Sequence, residues 1–181
     1  GKERGLHAQC CRVVREKRFA QVLVRSLSRD DCHARADETA GTVPITADFW
    51  LDVKEVTNDA YQRFVRANSA WAKEKIGGQY LKDWVGDKFP PGADAAPVVF
   101  VTWKAARAYA EWAGKRLPTE AEWEVAGSEV NRPLEAGANL LGSRHLHPAA
   151  SRAEPADRPG QMIGDVWEWT QSPYVPYPGF R

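Results

Sequence analysis

The main body of this 181-residue chain contains no cysteine, because Cys10, Cys11 and Cys32 all lie in the first 32 residues. Adjacent cysteines such as Cys10 and Cys11 make a poor disulfide pair, since the bond requires a particular separation and direction of the two side chains. A chain without a disulfide framework is typical of a reducing compartment. We therefore expect a cytoplasmic protein.

Long hydrophobic runs and an excess of one charge are also missing. No run of about 18 apolar residues is present, which argues against a membrane span. The N-terminal stretch lacks the continuous apolar segment and cleavage site of a signal peptide, although its basic composition leaves an organellar presequence open. Lys and Arg number 25 and Asp and Glu 24, a formal charge of +1. Because phosphate binding needs a cationic excess, nucleic acid is not expected as a partner.

The sequence is instead rich in tryptophan and proline, with eight and twelve residues. Such chains are typical of compact, loop-rich domains in which aromatic side chains anchor irregular segments. The length suits one domain with its own core. We interpret residues 1–41, with scattered Arg and no clear apolar period, as an N-terminal extension or the remnant of an upstream domain. Residues 42–181 form the main domain.

The first half of the main domain carries signals for a strand, a helix and a long loop. Alternating apolar residues over 49–53 predict a half-buried strand. Thr57 or Asn58 then caps a helix that runs to about Ala67, with Asn68 as its stop. A long loop follows, and its predicted anchors are Trp71, Tyr80, Trp84 and Phe89.

The second half predicts two helices between short strands. "PVVFV" indicates a buried strand at residues 98–101, and a helix follows from its cap at Thr102 to a stop at Gly114. Thr119 and Glu122 have capping-box spacing for the next helix. Residues 128–160 are irregular, and "DVWEW" indicates a last strand. Short strands, two or three helices and much ordered loop predict an α+β domain. The absence of a Gly-rich phosphate loop argues against a nucleotide-binding fold.

Three stretches resemble one family in their order and spacing. "EVTNDAYQRF", "PVVFVTWKAARAYAEWAGKRLPTEAEWE" and "GDVWEWT" are similar to the formylglycine-generating-enzyme, or sulfatase-modifying-factor, domain. The resemblance extends over about residues 44–181, and "GKRLPTEAEWE" is its most specific part. It implies a C-type-lectin-like α+β fold with small sheets and abundant loops.

The tail carries a finer resemblance. "HLHPAA" followed by "QMIGDVWEWTQSPYVPYPGF" is similar to the C-terminal domain of the ergothioneine-pathway sulfoxide synthases. Those are non-haem iron enzymes that join a thiol to a trimethylated histidine with oxygen. The resemblance implies iron as cofactor, a thiol and a histidine derivative as substrates, and an upstream iron-binding domain as partner.

The chain lacks residues that the two groups use to bind their catalytic metals. Formylglycine-generating enzymes use a copper-binding cysteine pair near the C-terminus, and both groups close with an "RGGS"-type segment, so the chain is expected to be truncated. The synthases bind iron through three histidines, most of them in a separate N-terminal domain. Residues 1–41 offer only His7 and His33. The catalytic metal site is therefore expected to be incomplete within this chain.

The resemblance assigns catalytic roles to the tail. In the sulfoxide synthases a tyrosine of this segment faces the iron, and Tyr174 or Tyr177 would match it. A phenol can donate a proton or hydrogen-bond an intermediate. The expected substrate-binding residues are Trp169, Phe180 and Arg181. The alternative is that both tyrosines pack a proline-rich loop with their hydroxyls in water.

The resemblance also implies a structural calcium site. Glu168 would supply the carboxylate, and the other oxygen ligands would come from Gln161, Gly164 and Val166, a ligand type that suits calcium. Asn139 resembles part of a second calcium loop. Asp165 stands where many relatives have Asn. The alternative is a Glu168 paired with one of the Arg side chains.

The remaining candidates are expected to be structural, except that His145 and His147 have either a structural or a substrate-facing role. His145 and His147 would share one side of a strand, but two histidines without a third ligand do not define a metal site. Among Arg116, Glu120, Glu122 and Glu124, capping explains Glu122 and pairing with a carboxylate explains Arg116. Five tryptophans are expected in the core: Trp103, Trp112, Trp123, Trp167 and Trp169.

Three functions follow from these observations. The first is a domain of an oxygen-dependent sulfoxide synthase, supplying the substrate-facing wall and inactive alone. The second is a formylglycine-generating oxidase that acts on a sulfatase cysteine, against which the cysteine-free body and "SPYVPYPGF" count. The third is a lectin-like ligand-binding module without catalysis, because a fold alone does not fix function.

Overall fold

Short strands pair two by two in this computed structural model, which describes residues 9–11, 14–16, 22–23, 44–45, 49–130, 138–145, 147–150 and 159–173. The strands of these residues are β1 Gln9–Cys11, β2 Val14–Glu16, β3 Val22–Leu23, β4 Pro44–Ile45, β5 Phe49–Leu51 and β6 Trp167–Trp169. β1 pairs with β6 in parallel, whereas β2–β5 and β3–β4 are antiparallel. The pairing joins residues before position 41 to strands of the main domain.

The helices of the same residues are α1 Asn58–Ala67, α2 Lys73–Ile76, α3 Trp103–Trp112 and α4 Glu120–Val130, with 3₁₀ turns at Ser69–Trp71 and Leu141–Ser143. The mixture of short strands, few helices and long loops confirms the predicted α+β class. The lectin-like arrangement stays a prediction. No helix in the described part of the chain is long and apolar enough to cross a membrane.

Local sequence signals account for the ends of α1. The Thr57 hydroxyl accepts a hydrogen bond from the amide of Ala60 at 3.3 Å, and Asn68 follows the last helical residue. Tyr61, Phe64 and Val65 are spaced three and four residues apart, so they lie on one face, and all three are buried. The predicted cap, stop and buried face are therefore confirmed.

Local sequence signals also account for both ends of α3. The Thr102 hydroxyl accepts from the amide of Ala105 at 3.2 Å. At the other end Gly114 has a φ of +67°, which only glycine adopts readily, and the next amide, that of Lys115, bonds back to Ala110 at 2.8 Å. Both predicted ends of this helix are confirmed.

The predicted strand at residues 98–101 is wrong. Val98 and Val101 are buried, but the backbone turns between them because Phe100 has a φ of +57°. The Val98 amide donates to Val56 and the Phe100 carbonyl accepts from Leu81, so two different segments use these groups. The residues of this run are apolar because the segment is buried. The turn at Phe100 prevents the continuous row of backbone hydrogen bonds that a strand would make.

The core is an aromatic cluster between α1, α3 and the long loop that follows α2. Tyr61 stacks on Tyr109 with ring centres 5.5 Å apart, and Phe64 meets Tyr109 edge-on at 5.7 Å. Tyr80 and Trp84 of the loop are buried, and Trp71 and Phe89 pack against the cluster. All four predicted anchors therefore contact the core. The first part of the predicted loop is helical, because Trp71 lies in the 3₁₀ turn before α2.

Two of the five tryptophans predicted in the core are exposed. Trp112, in the last turn of α3, contacts Phe64 but is 45% exposed. Trp167 starts the three-residue strand β6 and is 65% exposed. A helix end and a strand this short leave part of a large ring in solvent. Trp103 and Trp169 pack against the core, and Trp123 is half-buried.

Candidate functional site

The segment from Trp169 to Ser172 is tied to the start of α3. Trp169 donates its indole N–H to the carbonyl of Val101 at 2.9 Å. In return, Trp103 donates its indole N–H to the carbonyl of Thr170 at 2.9 Å. Two reciprocal tryptophan hydrogen bonds therefore hold the segment after β6 against the residues that precede and begin α3.

The same segment is also tied to the start of α4. The Gln171 amide donates to the carbonyl of Pro118 at 2.8 Å. The Ser172 hydroxyl accepts from the amide of Glu120 at 3.0 Å, which satisfies one of the free amides at the helix N-terminus. The described chain therefore reaches Pro173 at a fixed place beside the first turn of α4.

Of the five predicted site residues in the tail, one lies within the described residues and four do not. Trp169 is half-buried, and its ring packs against the core while its N–H is used internally. Tyr174, Tyr177, Phe180 and Arg181 lie outside the described residues. Their catalytic and substrate-binding roles stay predictions.

Arg116 and Glu122 form a forked ion pair at the start of α4. The two guanidinium nitrogens lie 2.7 and 2.6 Å from the two carboxylate oxygens. The Thr119 amide donates to Glu122 at 2.7 Å, and the Glu122 amide donates to the Thr119 hydroxyl at 3.1 Å. This is the predicted capping box, completed by the predicted arginine partner.

The environment of α4 moves two carboxyl pKa values in opposite directions. Burial raises the pKa of Glu122, but the hydrogen bonds from Arg116 and Thr119 outweigh it and hold the pKa below its ordinary value. Burial, and then the negative charge of Glu120, raise the pKa of Glu124. Glu122 is therefore a structural anion, as predicted.

A second centre forms around the carboxylate of Asp165, between the 3₁₀ turn and β6. Its Oδ1 accepts from the side-chain amide of Asn139 and from the backbone amide of Ala149, both at 2.8 Å. Its Oδ2 accepts from the side-chain amide of Gln161 at 2.7 Å. One carboxylate thus joins three separate pieces of loop, which we call the Asp165 centre.

The residues predicted to bind calcium do not share one set of contacts, because some contact the Asp165 centre whereas Glu168 contacts Trp123. Asn139 and Gln161 bond Asp165, and Gly164 lies so close to Asn139 that an added Cβ would stand 2.9 Å from its carbonyl oxygen. Glu168 accepts the indole N–H of Trp123 at 3.2 Å. Calcium binding by Gln161, Gly164, Val166, Glu168 and Asn139 stays a prediction.

His145 and His147 follow the 3₁₀ turn and are both exposed. The described residues around them form no strand, so the predicted shared strand face is wrong. Within the described ranges, no three His, Cys, Asp or Glu side chains are grouped as a metal site. The described residues therefore do not form a ligand set that fits a catalytic iron.

Sequence reasoning missed the central role of Asp165. The only signal was an Asp at a position where many relatives have Asn. Its partners lie 26, 16 and 4 residues away along the chain. The two partners 26 and 16 residues away, Asn139 and Ala149, have no local pattern that could predict them.

The arrangement can be compared with known proteins. Hercynine oxygenase of Mycobacterium tuberculosis is 46% identical over 101 residues, covering 46% of this chain and 24% of that protein. Formylglycine-generating enzyme of Mus musculus is 29% identical over 206 residues, covering 81% and 55%. Serine/threonine-protein kinase pkn1 of Chlamydia pneumoniae is 33% identical over 165 residues, covering 81% and 26%.

The chain therefore spans about a quarter of the hercynine oxygenase and of the kinase, and about half of the formylglycine-generating enzyme. Proteins with three different names share it, so the domain alone does not determine an activity. The model of the sulfatase-modifying factor enzyme 1-like domain matches residues 21–180. The chain belongs to the sulfatase-modifying factor enzyme 1-like domain family.

Proposed function

We propose that this chain is the substrate-facing domain of an oxygen-dependent sulfoxide synthase, which joins a thiol to a trimethylated histidine. The similarity to a hercynine oxygenase at 46% identity supports this over part of the chain. In the intact enzyme the iron ligands would come mostly from an upstream domain. A C-type-lectin-like arrangement of the domain belongs to the same proposal.

The observation that carries the proposal is the anchoring of residues 169–172. Four hydrogen bonds join this segment to Val101, Trp103, Pro118 and Glu120. A reacting group must be held within a few tenths of an ångström of its productive place, and rigid neighbouring elements are what hold it. The anchor gives the following tyrosine-containing segment such a starting point.

In this proposal, the residues of the chain bind substrate and hold a proton. Tyr174 or Tyr177 presents its phenol O–H to the reacting oxygen atom and donates a proton or a hydrogen bond to it. Trp169, Phe180 and Arg181 form the wall of the substrate pocket. An iron ion, held mostly by ligands of an upstream domain, would supply the oxygen activation in the intact enzyme.

The formylglycine-generating reaction is the second candidate. It is favoured by the coverage of 81% of the chain in the comparison with the mouse enzyme. The sequence after residue 32 contains no cysteine, so these residues alone cannot supply a copper-binding cysteine pair. The two reactions are separable by their products, a sulfoxide or a peptide aldehyde.

The test uses the protein as its gene encodes it, with ferrous iron, oxygen, cysteine and trimethylated histidine, and detects the sulfoxide by mass spectrometry. We expect sulfoxide formation, and a fall in kcat of about a hundredfold for Tyr174→Phe or Tyr177→Phe, a typical loss for a proton donor. Tyr80→Phe is the control, because its phenol lies in the core, bonded to Tyr61 at 2.9 Å. It should leave kcat unchanged.

Two results would contradict the proposal. One is an intact protein that forms no sulfoxide but converts a sulfatase cysteine peptide to the aldehyde. The other is full kcat in both tyrosine variants, which would remove the phenols from the reaction.

A further inference from the structure

The family resemblance implies a calcium site with Glu168, Gln161, Gly164 and Val166 as ligands, and a second calcium loop at Asn139. Between the Asn139 loop and the segment before β6, the structure has an anion. The carboxylate of Asp165 is surrounded by N–H groups from Asn139, Ala149 and Gln161, at 2.7 to 2.8 Å. Three donors on two oxygens is the arrangement that stabilises a carboxylate. The positive ends of these N–H dipoles point at the place where the loops meet.

Oxygen atoms that would serve calcium are already used by internal donors. The Asn139 side-chain oxygen accepts from the hydroxyl of Ser143 at 2.7 Å, and its backbone oxygen accepts from the amide of Asp165 at 3.0 Å. The Gly164 carbonyl accepts from the amide of Val166 at 2.6 Å. The side chain of Gln161 presents its N–H, not its oxygen, to the centre.

The backbones of Gly164 and Asn139 are also in direct contact. Gly164 has a φ of +95°, and a Cβ on it would lie 2.9 to 3.1 Å from three backbone atoms of Asn139. Only glycine permits this approach. Calcium requires six to eight oxygen ligands at about 2.3–2.6 Å. Hydrogen bonds within the protein therefore already engage Asn139, Gln161 and Gly164, three of the positions for which the resemblance implies calcium ligands.

We infer that Asp165 replaces a cation as the closure of these loops, so that folding of this domain does not depend on calcium. The carboxylate supplies the charge internally and binds N–H donors, whereas a metal would bind oxygen atoms. The inference concerns stability and does not rest on the proposed reaction.

The test is thermal unfolding of the protein in millimolar calcium and in excess EGTA, with calcium titration calorimetry as a second measurement. We expect a difference in Tm below about 1 °C and no heat of binding, whereas a calcium site filled well above its Kd would raise Tm by about 5–10 °C. Calorimetry on the wild-type protein keeps the inference testable even if a variant fails to fold.

The variant Asp165→Ala should lower Tm by about 5 °C or more, because it leaves three N–H groups without their charged acceptor. The matched control is Asp83→Asn, an exposed carboxylate, which should change Tm by less than about 1 °C. A Tm that rises with calcium, or an Asp165→Ala protein as stable as the wild type, would overturn the inference.

Discussion

At the residue scale, burial decides what an ion pair contributes, and Glu122 allows a direct test. Its side chain is 8% exposed and that of Arg116 27%. We expect Glu122→Gln to lower the free energy of unfolding at pH 7 by about 2–3 kcal/mol, because the Arg116 charge loses its partner and the helix loses part of its cap. Urea unfolding at pH 7 measures this loss.

The same residue makes the loss depend on pH in a known direction. The folded-state pKa of Glu122 lies below the ordinary 4.5. A lowered pKa means that the ionised carboxylate stabilises the fold above pH 4.5, and that this stabilisation is lost as pH falls through the folded-state pKa. The difference between wild type and Glu122→Gln should therefore shrink towards pH 3, and a difference that stays constant would contradict this account.

Glu111→Gln is the matched control for this prediction. Its pair with Arg107 has a similar distance, 2.8 Å, but both side chains are 59% exposed. Exposed pairs four residues apart on a helix contribute about 0.3–0.5 kcal/mol. If Glu111→Gln costs as much stability as Glu122→Gln, burial is not the deciding factor.

Single residues also show where sequence reasoning succeeds. Thr119 and Glu122 are three residues apart, so the capping box could be predicted from spacing. Arg116 was expected to pair with a carboxylate, and the structure shows that this carboxylate is Glu122. The Asp165 centre could not be predicted, because Asn139 and Ala149 approach it only after the loops have folded. Local chemistry is readable from sequence, whereas a centre built by tertiary contacts is not.

At the element scale, one buried side chain links α1 to the long loop after α2. Asn58 accepts the indole N–H of Trp84 at 3.1 Å and donates its amide to the carbonyls of Ala93 and Ala96 at 2.8 and 3.2 Å. The first residue of a helix therefore also holds both ends of the loop segment 84–96. From sequence, this residue was only an alternative cap for α1.

We expect Asn58→Ala to destabilise the protein by about 2–3 kcal/mol, because it leaves the buried indole N–H of Trp84 without its acceptor. It also removes the side-chain donor from the carbonyls of Ala93 and Ala96, which keep their backbone hydrogen bonds. Urea unfolding measures the total loss. Hydrogen exchange should locate it, with faster exchange of the amides of Lys88 and Ala96 in the loop.

Asn68→Ala at the other end of the same helix is the control. Its side-chain amide makes a hydrogen bond to the carbonyl of Phe64 at 3.0 Å, and the residue is half-buried. The expected loss is about 1 kcal/mol or less, without faster exchange in the long loop. Unchanged exchange of Lys88 and Ala96 in Asn58→Ala would show that the loop does not depend on Asn58.

Helices were predictable here and strands were less so, for a physical reason. Thr57, Thr102 and Gly114 mark helix ends through contacts within a few residues. The apolar run at 98–101 fits either a strand or a buried turn, and only the positive φ of Phe100 decides between them. Strand pairing such as β1 with β6, far apart in the chain, has no local signal.

At the scale of the whole molecule, the proposed function makes the domain one anchored wall of a reaction centre that another domain completes. The core, the anchor at residues 169–172 and the Asp165 centre all hold the segments that surround β6. In the described part of the chain, no cluster of metal-binding side chains accompanies them. Under the proposal, this wall would act only together with the groups that activate oxygen, which would lie in an upstream domain.

The 181-residue chain supplied with ferrous iron, a thiol and trimethylated histidine should therefore form little or no sulfoxide. The reason is the missing ligand set: His145 and His147 are exposed loop residues, and the other two histidines lie before residue 34. Sulfoxide detected by mass spectrometry measures turnover. The control is the protein as its gene encodes it, assayed at the same iron and protein concentrations. Robust turnover by the chain alone would mean that the iron site lies within these 181 residues, and would refute the division of labour proposed here.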